Sequence, residues 1–237
     1  MNEQNRLEEE TKAFIKNVKI FDARIKTPFC MIITGASQSG KTFWLLKLLK
    51  NRDRLIDNTF INIIYFYGQE TINLADFEEI NITCVAGIPD DGDFSMYSGN
   101  INDKVLFIFD DLLIKISNNK NIAQLVLNKT HHENISVIFL SQDLFYKGSQ
   151  RLTINRQAHY IVLLKTILDK QPYSIFAKKF EPNNSRIILD IFNKILNDDN
   201  IEYGYVFIDG KVNTPEKARI RYNIFNSVMS SISPKIK

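Results

Sequence analysis

The chain has 237 residues, 44% of them hydrophobic, and a formal net charge of +3. That size and apolar content allow one main α/β domain with a real core. The small charge excludes global basicity as a route to nucleic acid, so any such partner must meet a local patch or a surface repeated in an oligomer.

Residues 1–26 mix charge with sparse apolar positions and read as an N-terminal arm, partly helical, leading to Pro28. Its first ten residues are polar and acidic, unlike a secretory signal, and no run in the chain approaches the roughly 18 apolar residues of a membrane span. A soluble, intracellular protein without a membrane partner is expected. From Phe29 the pattern changes to short runs rich in β-branched and aromatic residues, at 29–34, 60–67, 82–86, 105–109, 135–140 and 159–164. These read as buried strands. Stretches with helical spacing, 41–50, 72–79, 120–130 and 148–157, alternate with them, which predicts a mostly parallel central sheet covered by helices on both faces. Two further helices are expected at 171–180 and 184–197. Strands at 203–209 and 218–222, separated by the turn signal Asp209-Gly210, form a small C-terminal β extension that closes the sheet or makes a hairpin at its edge. The domain boundaries are set at 1–26 for the arm, 27–210 for the core and 211–237 for a basic tail whose end, from Ser230, reads as frayed.

Cys30 and Cys84 each lie inside an apolar run, far apart in sequence. Reduced core thiols suit them better than a disulfide or a metal site. Residues 71–100 contain acids and no Lys or Arg, whereas 144–180 carry Lys147, Arg151, Arg156, Lys165, Lys170, Lys178 and Lys179 against Asp169. Either block fits a solvated face as well as a binding surface.

Residues 35–42 read Gly-Ala-Ser-Gln-Ser-Gly-Lys-Thr directly after an apolar run. This is the spacing of a P-loop, in which glycines let backbone N–H groups approach phosphates and the following helix presents its positive end to the same anion. Gly35, Ala36, Ser37, Gln38, Ser39 and Gly40 would form the cradle for ATP. Lys41 would reach the β- and γ-phosphates, and the Thr42 hydroxyl would ligate Mg2+. A P-loop ATPase is the expected class.

The second half of such a site is an acid at the end of another buried strand, and 105–109 followed by Asp110-Asp111 supplies it. Asp110 would hold the magnesium and Asp111 would polarise the attacking water, a role that a hydrolase needs and a kinase does not. The same doubled acid could start a loop or cap a helix. Two strand candidates between the motifs permit a core with an additional strand inserted between the P-loop strand and the Asp110 strand. Gln142, after the run 135–140, is placed to sense the γ-phosphate or the lytic water, or to cap a helix. Arg151 and Arg156 are candidates for an arginine supplied to a neighbouring subunit, and each also suits a surface ion pair. His131 and His132 have no third ligand nearby, so a loop or interface role is expected for them.

Together, Gly35–Thr42, Asp110-Asp111-Leu112 and the stretch from Thr130 through His131-His132 to Gln142-Asp143-Leu144-Phe145 resemble the viral genome-packaging ATPases. The branch they look like is that of the FtsK/HerA superfamily found in poxviruses, virophages and Polinton-like elements. The likeness continues through Arg151–Asn155 and His159-Tyr160 to Tyr203–Phe207. It implies a homo-oligomeric ring that uses ATP and Mg2+ to translocate double-stranded DNA into a preformed capsid. Capsid or portal-vertex proteins would be its partners, and it would work on the cytoplasmic side of an infected cell, in a viral factory or with the virion. Lys41 and Thr42 would take the phosphate and metal roles, Asp110 the metal, Asp111 the catalytic acid and Gln142 the sensor. Superfamily members often carry Glu where this chain has Asp111. A nucleotide-regulated DNA-binding or assembly protein with little turnover, and a P-loop kinase, are the competing readings.

Overall fold

The computed structural model describes residues 21–68, 74–89, 94–98, 100, 103–112, 116, 134–144, 155–166, 170–198, 203–226 and 230–232. In chain order its strands are β1 (Cys30–Thr34), β2 (Asn62–Tyr67), β3 (Thr83–Ala86), β4 (Val105–Asp110), β5 (Ile135–Ser141), β6 (Tyr160–Leu164), β7 (Tyr205–Asp209), β8 (Ile220–Tyr222) and β9 (Ser230–Ile232). They form one nine-stranded sheet in the order β3-β2-β4-β5-β1-β6-β7-β8-β9. The first six are mutually parallel, and β7, β8 and β9 extend the β6 edge as antiparallel neighbours.

The central strands are continuous apolar runs because both faces of the sheet are covered. Successive residues feed opposite cores. Ile32, Phe107, Phe109, Val137 and Phe139 pack on one face with Tyr173, Phe176, Ile188 and Phe192, which belong to helices α2 (Gln171–Phe180) and α3 (Ser185–Leu196). Met31, Ile33, Leu106, Ile108 and Ile138 pack on the other face with Trp44, Leu45, Leu48 and Leu49 of helix α1 (Lys41–Lys50). The expected architecture of a mostly parallel sheet between two helical layers is what forms.

An additional strand does lie between the two motif strands, and it is β5, hydrogen-bonded to β1 on one side and β4 on the other. The two candidates that fall between the motifs in sequence, β2 and β3, instead build the far edge beyond β4. The expectation of a frayed end from Ser230 needs correction, because Ser230–Ile232 pair with Tyr222–Ile220. The helical stretch expected at 120–130 lies outside the described residues, as does most of that at 148–157.

A buried polar knot fastens the C-terminal strands to the chain start. Asp209, at the end of β7, is ion-paired with Arg221 of β8, and both side chains are almost wholly buried. The same Asp209 accepts from Thr214 Oγ1 at 2.9 Å and from the Lys211 N–H at 3.0 Å. Arg221 also donates to the Ala23 and Ala218 carbonyls, and Lys211 Nζ donates to the Lys26 and Pro28 carbonyls at 2.8 and 3.1 Å. With both partners so satisfied, a buried ion pair is tolerable in an apolar setting.

Candidate active site

In a parallel sheet the carboxyl ends of the strands open one crevice, and chain order decides which side chains reach it. Register places Thr34 opposite Ser141 and Asp110 opposite Leu140. The residues that follow these tips, Gly35, Gln142 and Asp111, therefore emerge side by side at one edge.

The loop from Gly35 is shaped by its own backbone. Gly35 N–H donates to the Ser141 carbonyl at 3.2 Å, and Ser39 N–H donates to the Ala36 carbonyl at 3.2 Å. A Cβ on Gly35 would stand 2.5 Å from Ser39 Oγ and 2.9 Å from Leu164 Cβ, so only glycine fits there. Gln38 (φ 63°) and Gly40 (φ 90°) adopt left-handed backbone, which turns the chain into α1. Ala36, Ser37 and Gln38 are exposed and Thr42 is half-buried. No side chain caps α1 and no acid occupies its first turn, so its leading N–H groups and positive end are left for an anion. The Ser39 hydroxyl is buried and has no hydrogen-bond partner among the described residues.

Lys41 is buried, and its ammonium donates to the Gly35 and Ala36 carbonyls at 2.9 and 3.0 Å. Burial lowers its pKa, against the opposing charges of Asp111 and Asp110. Asp110 is buried and accepts a hydrogen bond from the Tyr65 hydroxyl. Burial raises the Asp110 pKa; Tyr65 and Lys41 oppose that, and the Asp111 charge adds to it. Asp111 is exposed, in left-handed backbone (φ 53°), and its Oδ2 accepts from Gln142 Nε2 at 3.1 Å. Lys41, Asp110, Asp111 and Gln142, singled out from three separate parts of the sequence, thus meet at one place. The hard oxygens of Asp110 and Thr42 suit a magnesium ion. Two carboxylates also face one ammonium, which leaves surplus negative charge for a divalent cation to neutralise.

Tyr65 escaped the sequence reading. Its signal is the alternation in β2, where Tyr65 and Tyr67 share a face with Ile63, but nothing in that pattern reveals that β2 will lie against β4. Arg156 is exposed and lies far from the crevice. It lines a cavity of about 770 Å³ with Lys26, His159 and Lys211. The His159 N–H donates to the Cys30 carbonyl at the start of β1, so this cavity sits at the opposite end of the sheet from the P-loop. Arg151, His131 and His132 fall outside the described residues. The buried Cys30 thiol is pushed up to about 12 by desolvation, which makes it an inert core group.

A P-loop at the tip of β1, an acid pair at the tip of β4 and a polar tip on the strand between them define a P-loop ATPase of the additional-strand class. A family model described as "Poxvirus A32 protein" matches residues 18–163, more than half of the chain. The chain belongs to this family, and it is an ATP-binding viral genome-packaging ATPase. Its fold is similar to that of B204, the DNA-packaging ATPase from Sulfolobus turreted icosahedral virus, at 12% identity and a TM-score of 0.48, covering 78% of this chain and 94% of that one. It is also similar to the genome-packaging NTPase B204 of Sulfolobus turreted icosahedral virus 2 in complex with ATP-gammaS, at 12% identity and a TM-score of 0.45 over the same shares of the two chains. A third likeness is to the N-terminal domain of zonular occludens toxin from Neisseria meningitidis, at 13% identity and a TM-score of 0.41, covering 59% of this chain and 78% of that one. No curated protein matches the sequence. Among the described residues, no helix is long and apolar enough to cross a membrane.

Proposed function

We propose that the chain is a motor that couples ATP hydrolysis to the translocation of double-stranded DNA, driving a viral genome into a preformed capsid as a homo-oligomeric ring. The observation that carries this reading is the Gln142–Asp111 hydrogen bond at adjacent strand tips beside Lys41. A carboxylate held by a polar sensor next to a P-loop suits water activation, and a kinase has no use for it.

Lys41 leaves the Gly35 and Ala36 carbonyls to bind the β- and γ-phosphates, while the loop N–H groups not already bonded within the loop take the remaining phosphate oxygens. Asp111 accepts the proton of the attacking water, and Gln142 orients that water and reports the state of the γ-phosphate through the same hydrogen bond. Thr42 and Asp110 would hold Mg2+, which would supply positive charge against that of the phosphates. Tyr65 keeps the Asp110 carboxylate fixed. Arg151 or Arg156 of a neighbouring subunit supplies positive charge to the transferring phosphoryl group, and the position of Arg156, remote from its own P-loop, suits donation to another subunit.

Duplex DNA carries about one charge per 1.7 Å of axis, so a ring that repeats a modest basic surface can hold it through the backbone alone. The basic block at residues 144–180 and the tail from residue 211 supply such a surface. Capsid or portal-vertex proteins complete the machine, in the cytoplasm or factory of the infected cell or on the virion. The test is displacement of a triplex-forming strand from linear duplex DNA by purified protein. ATP-dependent displacement that Asp111→Asn abolishes is expected. Hydrolysis without displacement at any protein concentration would remove translocation from the account.

A further inference from the structure

We infer that Tyr203 and Phe43 form the platform on which the nucleobase of ATP stacks. The inference rests on the nucleotide-binding reading of the P-loop and adds the part of the ligand that the P-loop does not hold.

Its first support is placement. Tyr205 of β7 pairs with Leu164 of β6, and the Lys165 N–H donates to the Gly204 carbonyl at 2.8 Å. Tyr203 therefore enters the sheet at the edge where the P-loop leaves it. Its ring covers Gly40 so closely that a Cβ there would meet Tyr203 Cγ at 2.4 Å. The Phe43 ring, on the first turn of α1, lies 5.0 Å away centroid to centroid at an angle of 48°.

Its second support is exposure. Tyr203 is 43% and Phe43 38% exposed, although most large apolar side chains of the sheet and of α1 are buried. Tyr203 also sits at φ 50°, a region that bulky residues avoid. The next residue is confined, because a Cβ on Gly204 would stand 2.4 Å from the Leu196 carbonyl oxygen. A turn this constrained aims one aromatic ring at the rim of the phosphate cradle.

With phosphates seated over residues 35–42, the nucleoside must lie beside the first turn of α1, where the exposed face of one of these two rings matches a purine face. Stacking on aromatic side chains tolerates any base, so adenine and guanine nucleotides should both bind.

The test is calorimetric titration of the full chain and its Tyr203→Leu, Tyr203→Phe and Phe43→Leu variants with Mg2+-ATPγS and, separately, inorganic tripolyphosphate. Tyr203→Leu should weaken ATPγS binding roughly tenfold, and Tyr203→Phe should stay within about twofold of wild type. Phe43→Leu should fall between them, and tripolyphosphate affinity should be the same for all four proteins. Unchanged ATPγS binding by Tyr203→Leu would overturn the inference, and so would equal losses of both ligands, which would make Tyr203 a prop for Gly40. Wild-type protein that bound neither ligand would overturn the nucleotide site itself.

Discussion

Asp110 is a carboxylate held where its charge is disfavoured. Because its folded pKa is raised by burial, the protonated form is favoured in the folded chain, and the stability this contributes is lost as pH rises through the folded value. At neutral pH the ionised group therefore costs stability. Asp110→Asn is expected to raise the melting temperature of the ligand-free protein by a few degrees, corresponding to about 1 kcal/mol, while removing Mg2+-dependent hydrolysis. A calorimetric scan at pH 7 and again near pH 4 checks the sign, since the advantage of Asn should shrink at the lower pH. Asp111 makes the complementary case. Asn tolerates its left-handed backbone as well as Asp does, so Asp111→Asn keeps the turn and the side-chain shape while deleting the proposed base. Steady-state kinetics should show kcat reduced by about 10²–10⁴ with KM little changed. At this scale the sequence was informative where a motif is contiguous along the chain, as in residues 35–42 and Asp110-Asp111, which the fold brings to one crevice. Tyr65, and Tyr203 in the role proposed for it, gave no signal because β2 docks on β4 and β7 folds back along β6 only in the folded sheet.

Among the elements, the apolar runs marked the central strands well because burial on both faces leaves them unbroken by polar residues. Their order was harder to read, since the strand that separates β1 from β4 comes later in the chain than β4 itself. The antiparallel extension depends on polar contacts invisible in sequence. Arg221, a basic residue of an expected tail, proves to be a core group paired with Asp209, and Ser230–Ile232 take their strand form from pairing with β8 rather than from any apolar pattern of their own. Arg221→Ala would leave Asp209 charged and buried, and should destabilise the protein by about 3–5 kcal/mol. A fall in the urea midpoint with the slope unchanged would bear this out, whereas a midpoint within error of wild type would mean that the knot contributes little.

For the whole molecule, the P-loop and Arg156 lie at opposite ends of the sheet, an arrangement that suits a site completed between subunits. Two inactive variants, Lys41→Ala and Arg156→Ala, are then expected to regain part of the wild-type hydrolysis when mixed, because some interfaces would combine an intact P-loop with an intact arginine. If that mixture stays inactive while the pairing of Lys41→Ala with Arg151→Ala recovers, Arg151 is the donor. Ring formation could not be read from this sequence beyond family resemblance, since interface residues carry no local pattern that sets them apart from a solvated face.

The most direct measurement is phosphate release by purified protein with and without linear duplex DNA, alongside Lys41→Ala and Asp111→Asn. Release that DNA stimulates and that each substitution reduces by at least about 100-fold is the expected result. ATP binding without release, with or without DNA and at concentrations where the protein is oligomeric, would contradict the motor and leave a nucleotide-regulated assembly protein in its place.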